Sequence, residues 1–193
     1  MFIPPKVKTS NTYTPSGFLI EVFGRSNPIP TAQRFHFSDA QSKLQFEATH
    51  MGFLTVEGYF ESFEGWATLS NDKSSVTAAQ LTIHSKSITT DNSLRDKSLR
   101  SEDFLNAQEF PEITFESSQS PSNDQSNTLT GYLNLKGRRS PINISYEVKK
   151  NTKGIFEING KALLSRKALD LQLGQMDGLV SDEVLAEFII LLH

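Results

Sequence analysis

The chain contains no cysteine. That absence excludes disulfides, thiolate nucleophiles and cysteine-based metal sites. It also lacks an excess of charge of either sign: 19 Lys plus Arg stand against 22 Asp plus Glu, a net charge of −3. Such a balance provides no electrostatic footprint for nucleic acid or for an anionic membrane. No run approaches the ~20 consecutive apolar residues that a membrane-spanning helix requires. The opening MFIPPKVKTSNTYTPSGFLIEVFG lacks the charged start, apolar stretch and small-residue cleavage site of a secretory signal. The expectation is a cytoplasmic chain, or a periplasmic one if a leader has been removed. His36, His50, His84 and His193 are scattered without carboxylates at ligand spacing, so no metal is expected. Neither a Gly-x-Ser-x-Gly elbow nor a glycine-rich phosphate loop occurs. Nothing in the chain calls for a catalytic role or a cofactor.

What is present is phenylalanine, 14 of them against a single tryptophan, in a chain of 193 residues. That length fits one domain, or one domain with an appendage. From Phe35 onward apolar and polar residues alternate. Leu44, Phe46, Ala48 and His50 share one face, and Lys43, Gln45, Glu47 and Thr49 share the other. A period of two with one polar face marks a half-buried antiparallel strand. Further strands are expected over 56–60, 63–69, 76–84, 113–117, 129–136, 141–148, 155–164 and 184–192, with turns at Met51-Gly52, Gly137 and 151–154. The Ser/Asn-rich stretch 117–128 reads as a hairpin loop. Several strands with turn signals between them point to a closed antiparallel barrel of about eight strands. One short helix is expected inside 92–106, opened by Ser93-Leu94-Arg95-Asp96 as a capping box. Residues 1–33 read as an irregular leader with one strand, Phe18–Phe23, set off by Pro28 and Pro30. Residues 34–193 form the barrel domain.

The stretch from Leu81 to Phe115 carries residue types in a specific order: Ser87-Ile88-Thr89-Thr90, then Arg95-Asp96-Lys97-Ser98-Leu99-Arg100-Ser101, Asp103-Phe104 and Phe110-Pro111-Glu112-Ile113-Thr114-Phe115. With His50-Met51-Gly52, Val56-Glu57-Gly58-Tyr59-Phe60, Phe63-Glu64-Gly65 and Gly131-Tyr132-Leu133 through Gly137, this order resembles the YceI-like family over residues 34–193. One departure follows Arg166, where the family's Asp-Phe-Gly-like turn is replaced by Lys167-Ala168-Leu169-Asp170-Leu171. The resemblance implies a lipocalin-like barrel enclosing a long-chain apolar ligand: a polyisoprenoid, an isoprenoid quinone or a fatty amide.

Leu44, Phe46, Ala48, His50, Val56, Phe60, Leu81, Ile83, Phe115, Leu133 and Leu135 are then the candidate cavity wall. A filled core fits the same alternation, since an eight-stranded barrel is only just wide enough for one small ligand. Arg95, Arg100 and Arg166 are candidate head-group contacts through bidentate donation. The competing reading of the crossover is a structural clamp, with Asp96 capping the helix and the arginines paired to Glu102 or Asp103. Expected partners are an apolar small molecule and no nucleic acid, with a homodimer left open. The alternatives are an enzyme of lipid or isoprenoid metabolism using the same cavity, and a filled barrel that acts through protein contacts.

Overall fold

The computed structural model describes residues 33–118, 127–173 and 177–192, all within the compact unit 32–193. The expected leader with its Phe18–Phe23 strand, most of the 117–128 loop, and His193 lie outside the described residues.

Eleven antiparallel strands form one sheet: β1 (Arg34–Ser38), β2 (Lys43–His50), β3 (Leu54–Phe60), β4 (Phe63–Leu69), β5 (Val76–His84), β6 (Ile88–Thr89), β7 (Glu112–Ser117), β8 (Thr128–Leu135), β9 (Arg138–Lys150), β10 (Phe156–Ser165) and β11 (Val180–Leu192). Their lateral order is β1-β4-β5-β7-β8-β9-β10-β11-β2-β3-β6. The sheet curls on itself, so that Phe35 of β1 meets Phe156 of β10 edge to face, ring centroids 6.0 Å apart, although the two strands are not hydrogen-bonded neighbours. The lipocalin-like antiparallel barrel is therefore present, built from eleven strands rather than about eight. Beyond the strands read from the alternation, the additional ones are β1 and the two-residue β6.

β9 begins at Arg138, before Pro141, where the sequence suggested a later start. Its first half pairs with β8 alone, because the ladder with β10 covers only Ser145–Lys150. A proline lacks a ladder donor, and among the described residues no strand is paired to this half of β9 on its second edge.

The one α-helix among the described residues, α1 (Ser93–Arg100), starts one residue earlier than the expected capping box. Asn92 is the cap, its side chain accepting from the Arg95 N–H at 3.0 Å. Asp96 is drawn away from the helix start. Its carboxylate instead accepts from Thr90 N–H (2.8 Å), Thr90 Oγ1 (2.6 Å) and Thr89 Oγ1 (3.2 Å). It thereby fastens α1 to β6.

Four inward-facing glycines explain how so many phenylalanine rings fit. Phe46 lies over Gly58, Phe37 over Gly65, Phe115 over Gly131 and Phe188 over Gly160, each ring occupying the volume where a Cβ would stand. In three of these the partners face each other across adjacent strands. At Gly65 a Cβ would also stand 2.2 Å from the backbone carbonyl of Gln80, which cannot swing aside. Gly65→Ala should therefore cost about 1–3 kcal/mol, the range for overpacking. Urea denaturation measures it, and an unchanged midpoint would show that the sheet yields there without strain.

Candidate functional site

Inward positions follow from the registers. All eleven candidate wall residues lie on the inner face, but in different surroundings. Leu44, Ile83, Phe115, Leu133 and Leu135 are fully buried, while Phe46, Ala48, His50, Val56, Phe60 and Leu81 are half-buried. Burial falls along one direction. On β11 it passes from buried Ile190 through half-buried Phe188, Ala186 and Val184; on β2, from buried Leu44 through half-buried Phe46, Ala48 and His50. These rows are paired, Phe188 with Leu44, Ala186 with Phe46 and Val184 with Ala48. The interior thus opens toward the end where β2 meets the start of β11.

Inside lies an apolar cavity of about 60 Å³. Leu44, Leu81 and Phe115 line it as the alternation suggested. So do Phe37, Ile144, Tyr146, Ile158, Phe188 and Ile190, which the sequence reading did not single out. The signal for Ile144 and Tyr146 was available in the alternation INISY. Phe188 and Ile190 sit in the run LAEFIILL, where apolar residues on both faces hide the period. Pockets that hold a ligand of drug size measure ~300–1,000 Å³; this one is smaller, and an apolar void of this kind stays dry. A larger hollow of about 570 Å³ lies on the outer face of β1, β4 and β5, among His36, Ser38, Glu64, Trp66, Gln80 and Thr82. It is open and of mixed polarity, and the Arg34 guanidinium already covers the Trp66 ring at 3.9 Å.

Polar groups concentrate at the barrel's ends. Arg166 is 1% exposed. Its guanidinium ion-pairs with Asp177 and donates to the carbonyls of Leu171, Asp177 (3.3 Å) and Val180 (3.5 Å). It ties down the loop between β10 and β11, whose Leu169 and Leu171 enter the core. Asp182 fixes the loop's base, accepting from Lys167 N–H and Ser165 Oγ, both at 2.8 Å.

In the crossover, Arg95 donates to Thr90 Oγ1 and the Thr90 carbonyl, both at 2.8 Å. Arg100 donates to the Ile88 carbonyl. No ion pair joins either arginine to Glu102 or Asp103 among the described residues, so the expected pairing is replaced by arginine–backbone and arginine–hydroxyl bonds. The clamp itself is present, with different partners. Two buried crossover groups make no hydrogen bond among the described residues, Arg100 Nε and the Ser85 hydroxyl. The His50 imidazole makes no hydrogen bond among the described residues. No group of three or more His, Asp or Glu side chains converges there as a metal site would require.

Four carboxylates are held below the usual aspartate range: Asp72, lowered chiefly by the Ser70 hydroxyl in the β4–β5 turn, and Asp96, Asp177 and Asp182. At Asp96, burial is the largest influence and pushes its pKa up, but the Thr90 hydroxyl and N–H and the Thr89 hydroxyl together outweigh it. Asp177 is lowered chiefly by the Arg166 hydrogen bond and then by Leu173 N–H. Asp182 is lowered by Lys167 N–H and then the Ser165 hydroxyl. A depressed folded pKa contributes stability that is fully present above the unfolded value, about 3.9, and lost as pH falls through the folded one. The melting temperature should therefore be flat above roughly pH 5 on this account and decline from about pH 4 downward. Asp96→Asn should flatten part of that decline; an identical acid limb in the variant would assign it to other groups. Separately, Arg166→Leu strands buried carbonyls and should lower stability by at least the ~1–3 kcal/mol of one unsatisfied buried polar group, readable by denaturant titration. A neutral result would mean that the loop relaxes freely.

Residues 35–190 match the model of a family described as YceI-like domain. A UPF0312 protein of Pseudomonas aeruginosa strain LESB58 is 37% identical over 101 residues, covering 52% of this chain and 53% of that protein. A protein YceI of Salmonella arizonae is 33% identical over 101 residues with the same coverage. The matched stretch thus spans about half the length of these curated relatives. Among solved structures, Burkholderia cenocepacia BcnA superposes with a TM-score of 0.70 at 24% identity, over 80% of this chain and 98% of that one. A polyisoprenoid binding domain from Saccharophagus degradans, implicated in plant cell wall breakdown, gives 0.65 at 16% identity, over 84% and 99%. At these identities the likeness is one of fold.

Proposed function

The chain belongs to the YceI-like domain family, and from that premise we propose that it binds one long-chain apolar molecule inside the barrel, without covalent chemistry, and carries it. The observation that supports this reading most directly is the graded inner wall. Apolar side chains continue from a dry cavity at Leu44 and Phe188 outward to half-exposed Ala48, Val56 and Val184. A polyisoprenoid, an isoprenoid quinone or a fatty amide would lie along that wall. The Saccharophagus domain described as polyisoprenoid binding has the same fold.

Burial supplies the affinity, at ~0.8 kcal/mol for each CH₂ taken from water. The 60 Å³ void is too small for such a chain as it stands. Binding therefore requires inward rings such as Phe46, Phe60 and Phe188 to turn aside. Of the three arginines read as head-group contacts, Arg166 has its guanidinium committed to the β10–β11 loop. Arg100 retains a buried donor without an acceptor, which a carbonyl or hydroxyl oxygen of the ligand would satisfy. His50, inward and without a hydrogen bond among the described residues, is the second candidate contact. Nothing in this arrangement requires a reacting group, so the chain is read as a binding protein rather than an enzyme.

Organic-solvent extracts of purified protein, analysed by mass spectrometry, should contain a chain of ten or more carbons, an extent at which burial dominates. The residue-level test is Ala48→Phe, a substitution into the half-exposed part of the wall. Ligand-free stability should change little, while affinity for the extracted ligand should fall about tenfold, or ~1.4 kcal/mol. Melts with and without ligand separate the two effects, since a ligand that binds only the folded state raises the melting temperature. Extracts that match blanks, or a ligand-free variant destabilised by ~1–3 kcal/mol as overpacking would cost, would favour a closed core that acts through protein contacts.

A further inference from the structure

We propose that the tip formed by the β2–β3 hairpin and the start of β11 is a lipid-surface contact, through which the open end of the barrel seats on an uncharged or zwitterionic membrane face. The tip gathers Met51, Phe53, Leu54 and Leu179, which are 53%, 74%, 49% and 44% exposed. The two loops form one unit, since the Met51 N–H donates to the Leu179 carbonyl at 2.6 Å and the Thr49 N–H to Ser181 Oγ at 3.1 Å.

Turn chemistry shows that Met51 is an unusual choice. The Phe53 N–H donates to the His50 carbonyl at 3.3 Å, and both residues between them are left-handed, Met51 at φ 53° and Gly52 at φ 77°. Two positive φ values in a hairpin turn favour Asn, Asp or Gly. A long apolar side chain at the first position is held in a conformation that disfavours it, and it remains 53% exposed there.

Three further features select the occupant. The first is charge: residues 51–55 and 178–181 contain no Lys, Arg, Asp or Glu, and the flanking Asp177 and Asp182 are engaged by Arg166 and by Lys167 N–H and Ser165 Oγ, so the apolar side chains of the tip bring no unpaired charge with them. The second is the backbone. The donors of Met51 and Phe53 are already bonded within the tip, so insertion into an apolar layer leaves them satisfied, as that medium demands. The third is area. Four side chains of ordinary size at these exposures present on the order of 400 Å², about half of the ~800 Å² that each partner contributes to a standard protein interface. A small convex apolar tip suits insertion into an interface better than it suits a second copy of this chain.

This inference rests on the loops and not on the cavity, so a barrel without ligand can still pass its test. Full-length protein is sedimented with phosphatidylcholine vesicles, with and without phosphatidylglycerol, at low and high salt. Binding is expected to both vesicle types and to be insensitive to salt. Phe53→Ser should weaken partitioning by about tenfold, the effect of losing one buried phenylalanine. Met51→Asn should weaken it several-fold while leaving the melting temperature unchanged or higher, because asparagine suits the turn. That pairing separates loss of contact from loss of fold. Absence of vesicle binding overturns the proposal, as does an unaltered Phe53→Ser. So does binding that requires phosphatidylglycerol and vanishes with salt. A dimer in solution that dissociates on Phe53→Ser would make the tip a contact between copies, and the lipid assignment would be wrong.

Discussion

The seating of phenylalanine rings on strand glycines is the constraint from which the interior follows. Phe37 on Gly65, Phe46 on Gly58, Phe115 on Gly131 and Phe188 on Gly160 each place an aromatic ring where the neighbouring strand offers no side chain. A curled sheet of inward phenylalanines would otherwise be overfilled, because interiors are close-packed and tolerate little extra volume. Three of the four rings, Phe37, Phe115 and Phe188, also line the residual cavity. The same device that fills the barrel therefore sets the boundary of its void.

Much of this fold was legible in the sequence because its main signal is local. Alternation in Leu44–His50 and in the later strands needs only a few consecutive residues, and the register of the sheet kept those residues on the inner face. The helix was located correctly, but its cap was displaced by one residue. Asn92 and Ser93 are both acceptable caps by type, and only the tertiary attraction of Asp96 to Thr89 and Thr90 decides between them. Strand count was underestimated because a two-residue strand such as β6 has no period to read. The cavity was legible only in part. Its wall depends on which glycine faces which ring, and Gly160 with Phe188 or Gly58 with Phe46 are paired by strand order rather than by sequence pattern. The role of Arg166 was likewise hidden, since its acceptors are main-chain carbonyls that any residue supplies.

Polar chemistry sits at the ends and apolar chemistry in between. At one place the Arg166 guanidinium gathers the β10–β11 loop; at another the Asp96 carboxylate gathers β6 and α1. Charged hydrogen bonds of this kind are strong and directional, which suits the fixing of loops. Each satisfies its partners locally, so neither charge is directed at the cavity. The Tyr146 hydroxyl, beside the cavity, accepts from the Val76 N–H at 3.0 Å, and Gln80 Oε1 is held by the Trp66 indole at 2.8 Å. Most of the remaining cavity lining is hydrocarbon.

A nearly filled interior and a ligand-binding one are compatible on energetic grounds. Turning aside or repacking inward rings costs on the order of 1–3 kcal/mol by the measure of overpacked cores. Ten methylenes transferred from water contribute ~8 kcal/mol in the gross, before the losses of translational and side-chain freedom that accompany binding. The chain-length dependence of affinity is therefore steep. Short apolar molecules cannot offset the ring displacement, whereas long ones exceed it. On the proposed binding reading, the graded wall would set the direction of entry. Ala48, Val56 and Val184 would meet an incoming chain first, where displacement costs least because these positions are already half-exposed, and the rings over Gly58 and Gly160 would yield only after part of the chain had been buried. Opening of the closed part would in this way be coupled to burial already gained at the open end.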